Sequence, residues 1–347
     1  MVYLVTGGCG FVGSALTAEL LRRGASVLVF DNLSRVGGTQ NLEWLRSLGP
    51  VEFSHGDSRN VSDVAEVFRG RDIGCVFHLA GQVAMTTSLR EPRKDFETNV
   101  VGTINILEAV RNFSPEATVV YASSNKVYGE LSGLQLQEAQ TRYATTGSCQ
   151  GVAEDAQLDF RTPYGCSKGA ADQYVLEYAR SFSLRTVVFR HSTIYGGRQF
   201  STFDQGWIGW FCQQALATVQ ESTHQFTVNG DGKQVRDLLH VTDAIRCYLT
   251  AHENIHRVSG QAFNIGGGIE NSMSVLELLG ELGARLNVRL NARHLPWRTD
   301  DQRYFVADIT KATNLLGWAP SVSKQEGLEE VLSTLAKRNN LSGTAFS

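Results

Sequence analysis

Tyr164 and Lys168 stand four positions apart in the stretch Thr162-Pro163-Tyr164-Gly165-Cys166-Ser167-Lys168. On a helix that spacing puts both side chains on one face. A free phenol titrates near about 10, too high for a base at neutral pH. A neighbouring ammonium favours the phenolate and lowers that value, so the pair is suited to taking a proton from an alcohol. Ser124, just past the apolar run Thr118–Ala122, adds a hydroxyl that can hydrogen-bond the alcohol oxygen as charge develops. Near the start of the chain Gly7, Gly10 and Gly13 follow an apolar run and open a helical pattern. Glycines so placed allow a tight turn, close approach of a pyrophosphate, and close packing of helix on sheet. The helix N-terminus behind them offers free N–H groups to an anion. Asp31 ends the next apolar run, where a carboxylate can accept from both hydroxyls of an adenosine ribose and would repel a 2′-phosphate. NAD is therefore expected rather than NADP, with Arg35 the nearby cation that argues the other way. A chain that holds a nicotinamide dinucleotide beside such a pair does hydride chemistry.

The elements that must position these groups are legible as alternating patterns. Tyr3–Val5, Ser26–Phe30, Val51–Ser54, Cys75–Leu79, Thr118–Ala122 and Thr186–Phe189 are short apolar runs without alternation, as strands buried on both faces are. Helical patterns lie between them at Phe11–Arg23, Asn99–Arg111 and Pro163–Phe182, the first with Gly24 as a stop. Thr162 can cap the last of these and Pro163 suits its first turn. Strand and helix in alternation predict an α/β protein with a Rossmann-type, doubly wound parallel sheet. Residues 1–189 are expected to form the NAD-binding domain. Residues 190–347 are expected to be mainly a smaller C-terminal substrate-binding lobe, with a strand near 262–265 and a helix near 240–251 returning to the first domain. Residues 130–160 form a polar stretch with little periodicity, expected to be an excursion near the site. The tail from Asn339 is expected to fray.

Composition narrows the classes. The chain has 347 residues, 42% hydrophobic and 19% charged, enough for a sizeable core. A net charge of −3 gives no electrostatic case for nucleic acid or an anionic membrane. No apolar run approaches a membrane span, and with an apolar run already at Tyr3–Val5 no signal peptide is expected. The six cysteines, at 9, 75, 149, 166, 212 and 247, form no Cys-x-x-Cys and no metal-ligand spacing with histidine. Buried thiols, no metal and a cytoplasmic location are expected.

The motifs together resemble the extended short-chain dehydrogenase/reductase family, and within it the nucleotide-sugar epimerases, over nearly the whole length. The resemblance is carried by Thr6–Gly13, Asp31-Asn32, His78–Gly81, Asn99–Thr103, Ser123–Gly129, Tyr164–Lys168, Arg190–Gly196, Gly232–Asp237, and Leu316–Trp318 with Pro320. It implies that Ser124, Tyr164 and Lys168 form a catalytic trio. It implies a cofactor site that also uses Phe11, Val12, Asn32, Leu79, Ala80, Gly81 and Asn99. Asp57, at the end of the third run, could reach the adenine amine or be a turn aspartate. For the nucleotide-diphospho-sugar substrate, a loop from Gln82 through Thr86 and Thr87 to Ser88 is implied beside the sugar, together with Asn125, His191 and Gln199. Arg236 and Arg298, with Arg303 nearby, match arginines on the diphosphate, for which bidentate guanidinium is suited. His78 reads as a packed strand-end residue, and Trp207 and Trp210 as lobe contacts rather than a base-stacking platform.

Two departures stand out. Many relatives carry Asn at the position of Thr193, where it touches the diphosphate. The 4,6-dehydratases of the family follow the catalytic hydroxyl with Asp-Glu, where this chain has Asn125-Lys126. Without those carboxylates the acid–base machinery for expelling water is missing, so epimerisation is expected. The resemblance implies inversion at C2 of a CDP-linked deoxyhexose through a transient ketone. A UDP-sugar 4-epimerase or related keto-sugar enzyme is the alternative within the family. A non-catalytic dinucleotide sensor is the alternative outside it, though a sensor needs no proton acceptor. A homodimer or homotetramer paired through the helices at 95–112 and 163–183 is a further family expectation.

Overall fold

The computed structural model describes residues 1–147 and 151–338. Seven parallel strands make the central sheet: β1 (Val2–Thr6), β2 (Val27–Asp31), β3 (Glu52–His55), β4 (Ile73–His78), β5 (Thr118–Ala122), β6 (Arg185–His191) and β7 (Gln261–Ile265). Their order is β7-β6-β5-β4-β1-β2-β3, so the chain reverses direction of growth between β1 and β4. A reversal of this kind opens a crevice at the carboxyl ends of the strands. The absence of alternation in the sequence has its cause here. Val5, Val29, Phe77, Val120 and Phe189 face one apolar layer; Leu4, Leu28, Val76, Val119 and Val188 face the other.

Helices cover both faces. α1 (Phe11–Arg22) lies on the first layer. α2 (Gly102–Phe113) and α3 (Thr162–Phe182) lie on the second through Ile106, Leu107, Val110, Ala171 and Val175. A π-helical turn, Glu97–Val101, leads into α2, so that helix begins later than its sequence pattern suggests. Beyond β6 the chain leaves the sheet. α4 (Trp207–Gln220), two short parallel strands (Gln225–Asn229 and Asn291–Leu295) and the helices Val275–Leu286 and Lys324–Arg338 bury a third core around Phe211, Leu216, Leu278 and Leu328. α5 (Val241–Glu253) packs beside α1, and β7 adds the last strand of the main sheet.

The polar stretch 130–160 carries a small hairpin, Leu136–Glu138 with Tyr143–Thr145, and Val152 bridges to Ala307. It is tied to the lobe by Arg142, whose guanidinium grips Glu277 at 2.6 Å. The expectation of buried thiols needs correcting at one position. Cys166 is exposed, whereas Cys9, Cys75, Cys212 and Cys247 are buried. Cys149 and the tail from Asn339 lie outside the described residues. Among the described residues no helix is long and apolar enough to cross a membrane, and no cluster of three His, Cys, Asp or Glu side chains is placed to hold a metal.

Candidate active site

The glycine turn leaves β1 at the centre of the sheet. Gly7 has φ +67°, and a Cβ there would lie 2.7 Å from the Ala80 nitrogen. A Cβ on Gly13 would lie 2.2 Å from the Gly7 carbonyl oxygen. Neither position admits a side chain without moving backbone. α1 then starts with no side-chain cap and no acid in its first turn, so its first N–H groups face the crevice unneutralised. Asp31 closes the cradle: its carboxylate accepts from Cys9 N at 2.9 Å and Leu33 N at 2.8 Å. Burial raises its pKa while those two N–H groups hold it down. A tight donor-rich turn with an oriented carboxylate at its rim fits the pyrophosphate and ribose of NAD.

Other expected cofactor residues fall around this cradle. Phe11, Val12 and Leu79 pack their side chains against the core. The Leu79 N–H donates to the Thr6 carbonyl and the Ala80 N–H to the Thr6 hydroxyl, which brings Leu79 to Gly81 alongside the turn. Asn32 donates to Asp57 at 3.0 Å. The Arg59 guanidinium on Asp57 holds that carboxyl down at about 2. Asn99 binds the Gln82 backbone at both ends and donates to Ser167, so it fixes the loop against α3.

α3 delivers the Tyr–Lys pair. Thr162 adopts φ +59°, unusual for a β-branched residue, and its hydroxyl accepts from Gly165 N at 3.3 Å. Tyr164 N donates to Ser88 Oγ at 3.2 Å. Tyr164 is 8% exposed and lines the same cavity as Ser124. Burial pushes its phenol up to about 12, opposed by the Ser124 hydroxyl and by the Arg35 charge, and reinforced by Asp95. Lys168 donates to the Ala122 carbonyl and lies over the Tyr121 ring. Burial brings its ammonium down to about 7, against Asp172 and Asp95. The expected depression of the phenol by Lys168 is not found: burial dominates, and the ammonium is turned toward a strand-end carbonyl.

The crevice opens into a cavity of about 320 Å³ between sheet and lobe. Ser124, Asn125, Tyr164, Thr193, Gln199, Arg236 and Arg298 all line it. Thr193 Oγ accepts from Trp207 Nε1 at 3.2 Å, and indole is a donor only, so the threonine keeps its own hydrogen to donate. Arg298 donates to the Phe203 carbonyl at 2.9 Å, and Arg236 donates to Asp301. Asn125 is held by Gln302 at 3.1 Å.

Several expected sugar contacts face elsewhere. Gln82 donates to Ala84 O and Asp95 and accepts from Ala84 N, which closes its own loop. Ser88 is fully buried, donating to Met85 O and pinning Tyr164. Thr87 accepts from Arg90, and the Thr86 hydroxyl is buried without a partner among the described residues. His191 is bonded on both ring nitrogens, to Ser123 O and to the Tyr248 hydroxyl, and burial takes it down to about 3. His78 is likewise bonded to Thr6 and Thr103, and burial takes it down to about 3. Arg303 is exposed outside the cavity, over the rings of Tyr143 and Trp297. Residues that sequence reasoning passed over do the bracing. Asp95 accepts from Ser167 beneath Tyr164, and Asp172 binds both Ser123 and the buried Arg190. No local pattern marks them, because their partners are distant in sequence.

Comparison with known proteins accords with this geometry. Over 331 residues the chain is 53% identical to the CDP-paratose 2-epimerase of Salmonella typhi, covering 95% of this chain and 98% of that protein. It is 30% identical to a putative UDP-glucose 4-epimerase of Methanocaldococcus jannaschii, covering 97% and 99%. The fold superposes on a Thermotoga maritima UDP-glucose 4-epimerase solved with UDP-glucose, at TM-score 0.83 and 29% identity over 99% and 100% of the two chains. It also superposes on a Thermus thermophilus UDP-glucose 4-epimerase solved with NAD, at TM-score 0.81 and 28% identity over 96% and 98%. Residues 3–266 match the model of the NAD dependent epimerase/dehydratase family. With the glycine cradle, the Tyr–Lys helix and the substrate cavity in one crevice, this chain belongs to that family and uses NAD as its cofactor.

Proposed function

We propose that the protein inverts C2 of a CDP-linked deoxyhexose, converting CDP-paratose to CDP-tyvelose. The observation that carries this reading is the 53% identity, sustained over 95% of the chain, to a CDP-paratose 2-epimerase. The phenol oxygen of Tyr164 takes the proton of the C2 hydroxyl, and Ser124 hydrogen-bonds the same oxygen as it becomes a ketone. NAD, when bound, would supply the acceptor for the C2 hydride, the source of its return to the opposite face, and a positively charged ring that favours the phenolate. After the ketone turns over, Tyr164 returns the proton to oxygen on the inverted carbon. Lys168 steadies the phenolate and the cofactor ribose. Asn125, held by Gln302, supplies no acid for the loss of water.

Arg236, Arg298 and the free hydrogen of Thr193 anchor the diphosphate. The NAD-binding unit comprises residues 1–189 with α5 and β7, and the rest forms the nucleotide-sugar lobe. Phe113, Tyr174 and Phe182 are 55%, 48% and 45% exposed on α2 and α3. Aromatic exposure on that scale supports self-association of those helices in a cytoplasmic homodimer or homotetramer.

Incubation with a panel of CDP- and UDP-sugars, with product isomers identified by NMR, tests the reading. CDP-paratose is expected to give its C2 epimer. Interconversion of UDP-glucose and UDP-galactose, with CDP-paratose untouched, would replace this reading with that of a 4-epimerase.

A further inference from the structure

Lys126 lies in the short turn Asn125–Tyr128, directly after Ser124, and its backbone N–H donates to Ser124 Oγ at 3.2 Å. Its side chain is 17% exposed and lines the same cavity as Ser124, Tyr164, Arg236 and Arg298. The ammonium reaches Asp301 Oδ1 at 3.3 Å. The same oxygen accepts from Arg236 Nη2 at 2.9 Å. Asp301 therefore bonds both cations, with Asp300 acting on Lys126 from farther off, and among the charged side chains lining the cavity Lys126, Arg236 and Arg298 outnumber Asp204 and Asp301. An ammonium carries three donors, and Asp301 is the partner of one of them among the described residues. A largely buried cation with donors to spare is costly unless an anion meets it.

We propose that Lys126 is a diphosphate-binding residue, which with Arg236 clamps the substrate's phosphates while Asp301 sets the spacing of the two cations. The proposal rests on reading this cavity as the nucleotide-sugar site, and it deepens that reading by joining anchor to chemistry. The turn that carries Lys126 also carries Ser124 at its start. Gln302 braces that turn, donating to the carbonyls of Asn125 and Gly129. A phosphate held by Lys126 is thereby held at a fixed distance from the oxygen that binds the reacting hydroxyl. The sugar can turn about the bonds that join it to the phosphate while the phosphate stays anchored, and its C2 oxygen can return to Ser124 after the turn. Inversion by rotation of a ketone requires that combination.

The test uses the full-length, NAD-loaded protein and calorimetric titration with CDP, UDP and cytidine. Lys126→Met is expected to weaken CDP and UDP by a common factor of roughly 10-fold or more, the scale of a charge-assisted hydrogen bond, and to leave cytidine unchanged. Lys126→Arg is expected to retain binding within a few-fold. NAD content and melting of both variants are compared with the parent. Unchanged CDP affinity in a folded Lys126→Met protein overturns the proposal. Equal loss of cytidine and CDP overturns it too, since that reports a collapsed cavity rather than a lost phosphate contact. The proposal is independent of which base the enzyme prefers. If UDP-sugars prove to be the substrates, the CDP reading fails while the Lys126 effect on UDP remains.

Discussion

The two halves of the crevice are built on different principles. On the NAD side the site is made of backbone: a turn whose glycines exclude side chains, a helix N-terminus, and a carboxylate fixed by two backbone N–H groups. On the sugar side it is made of side chains from segments far apart in sequence, such as Lys126, Arg236 and Asp301. A backbone site tolerates almost no substitution but depends little on neighbours. A side-chain site can be retuned one residue at a time.

The two halves meet at α3, which serves both. Tyr164→Phe keeps the ring and removes the oxygen, and is expected to lower turnover by at least about 10²-fold, the scale of a lost general base. Circular dichroism should be unchanged. Lys168→Met should lose activity on a similar scale and bind NAD more weakly. Near-normal turnover of the Tyr164 variant would remove the phenol from the account.

On the backbone side, Gly13→Ala places a methyl 2.2 Å from the Gly7 carbonyl. The turn must open, and the purified variant should carry little or no NAD in the supernatant after denaturation. If Gly13→Ala retains a full complement of NAD, the cradle is not as rigid as described.

How much of this was legible in the sequence follows the same division. The strand ends, the glycine turn, Asp31 and the Tyr–Lys spacing are local patterns, and the structure places each at the carboxyl edge of the sheet. Gln82, Ser88 and His191 illustrate the limit. Sequence puts them near the sugar, but whether a side chain faces a cavity or its own loop depends on partners such as Asp95, Met85 and Tyr248 that no local pattern reveals. Arg303 turns outward onto Tyr143 and Trp297 for the same reason. The bracing role of Gln302 and the pairing of Lys126 with Asp301 join positions more than 170 apart, beyond any periodicity argument.

The buried histidines couple stability to pH. Folded His78 and His191 stay neutral down to about 3, against 6.5 for an ordinary histidine. Between those values the unfolded chain binds more protons than the folded one. Their contribution to stability is therefore present above about 6.5 and is lost as pH falls toward 3. Chemical denaturation at pH 7.5 and 5 should show that decline, and His191→Gln should flatten it. A stability that is constant across that interval would mean that the imidazoles are solvated. The smallest effect is expected at Arg303→Ala, which should change turnover less than about 2-fold because surface stacking of this kind contributes little. A tenfold loss would place Arg303 on the substrate after all.

The central claim is that the stereocentre inverts by removal and return of one hydride, with protons moving only on oxygen. Epimerisation of CDP-paratose in deuterium oxide, read by NMR and mass spectrometry of the product, tests it directly. The account predicts a C2-inverted product with no deuterium on any sugar carbon and no 4-keto-6-deoxy sugar from a 6-hydroxylated substrate. Deuterium at C2 or at its neighbour would contradict it, because exchange there requires an enol and a carbon base other than Tyr164.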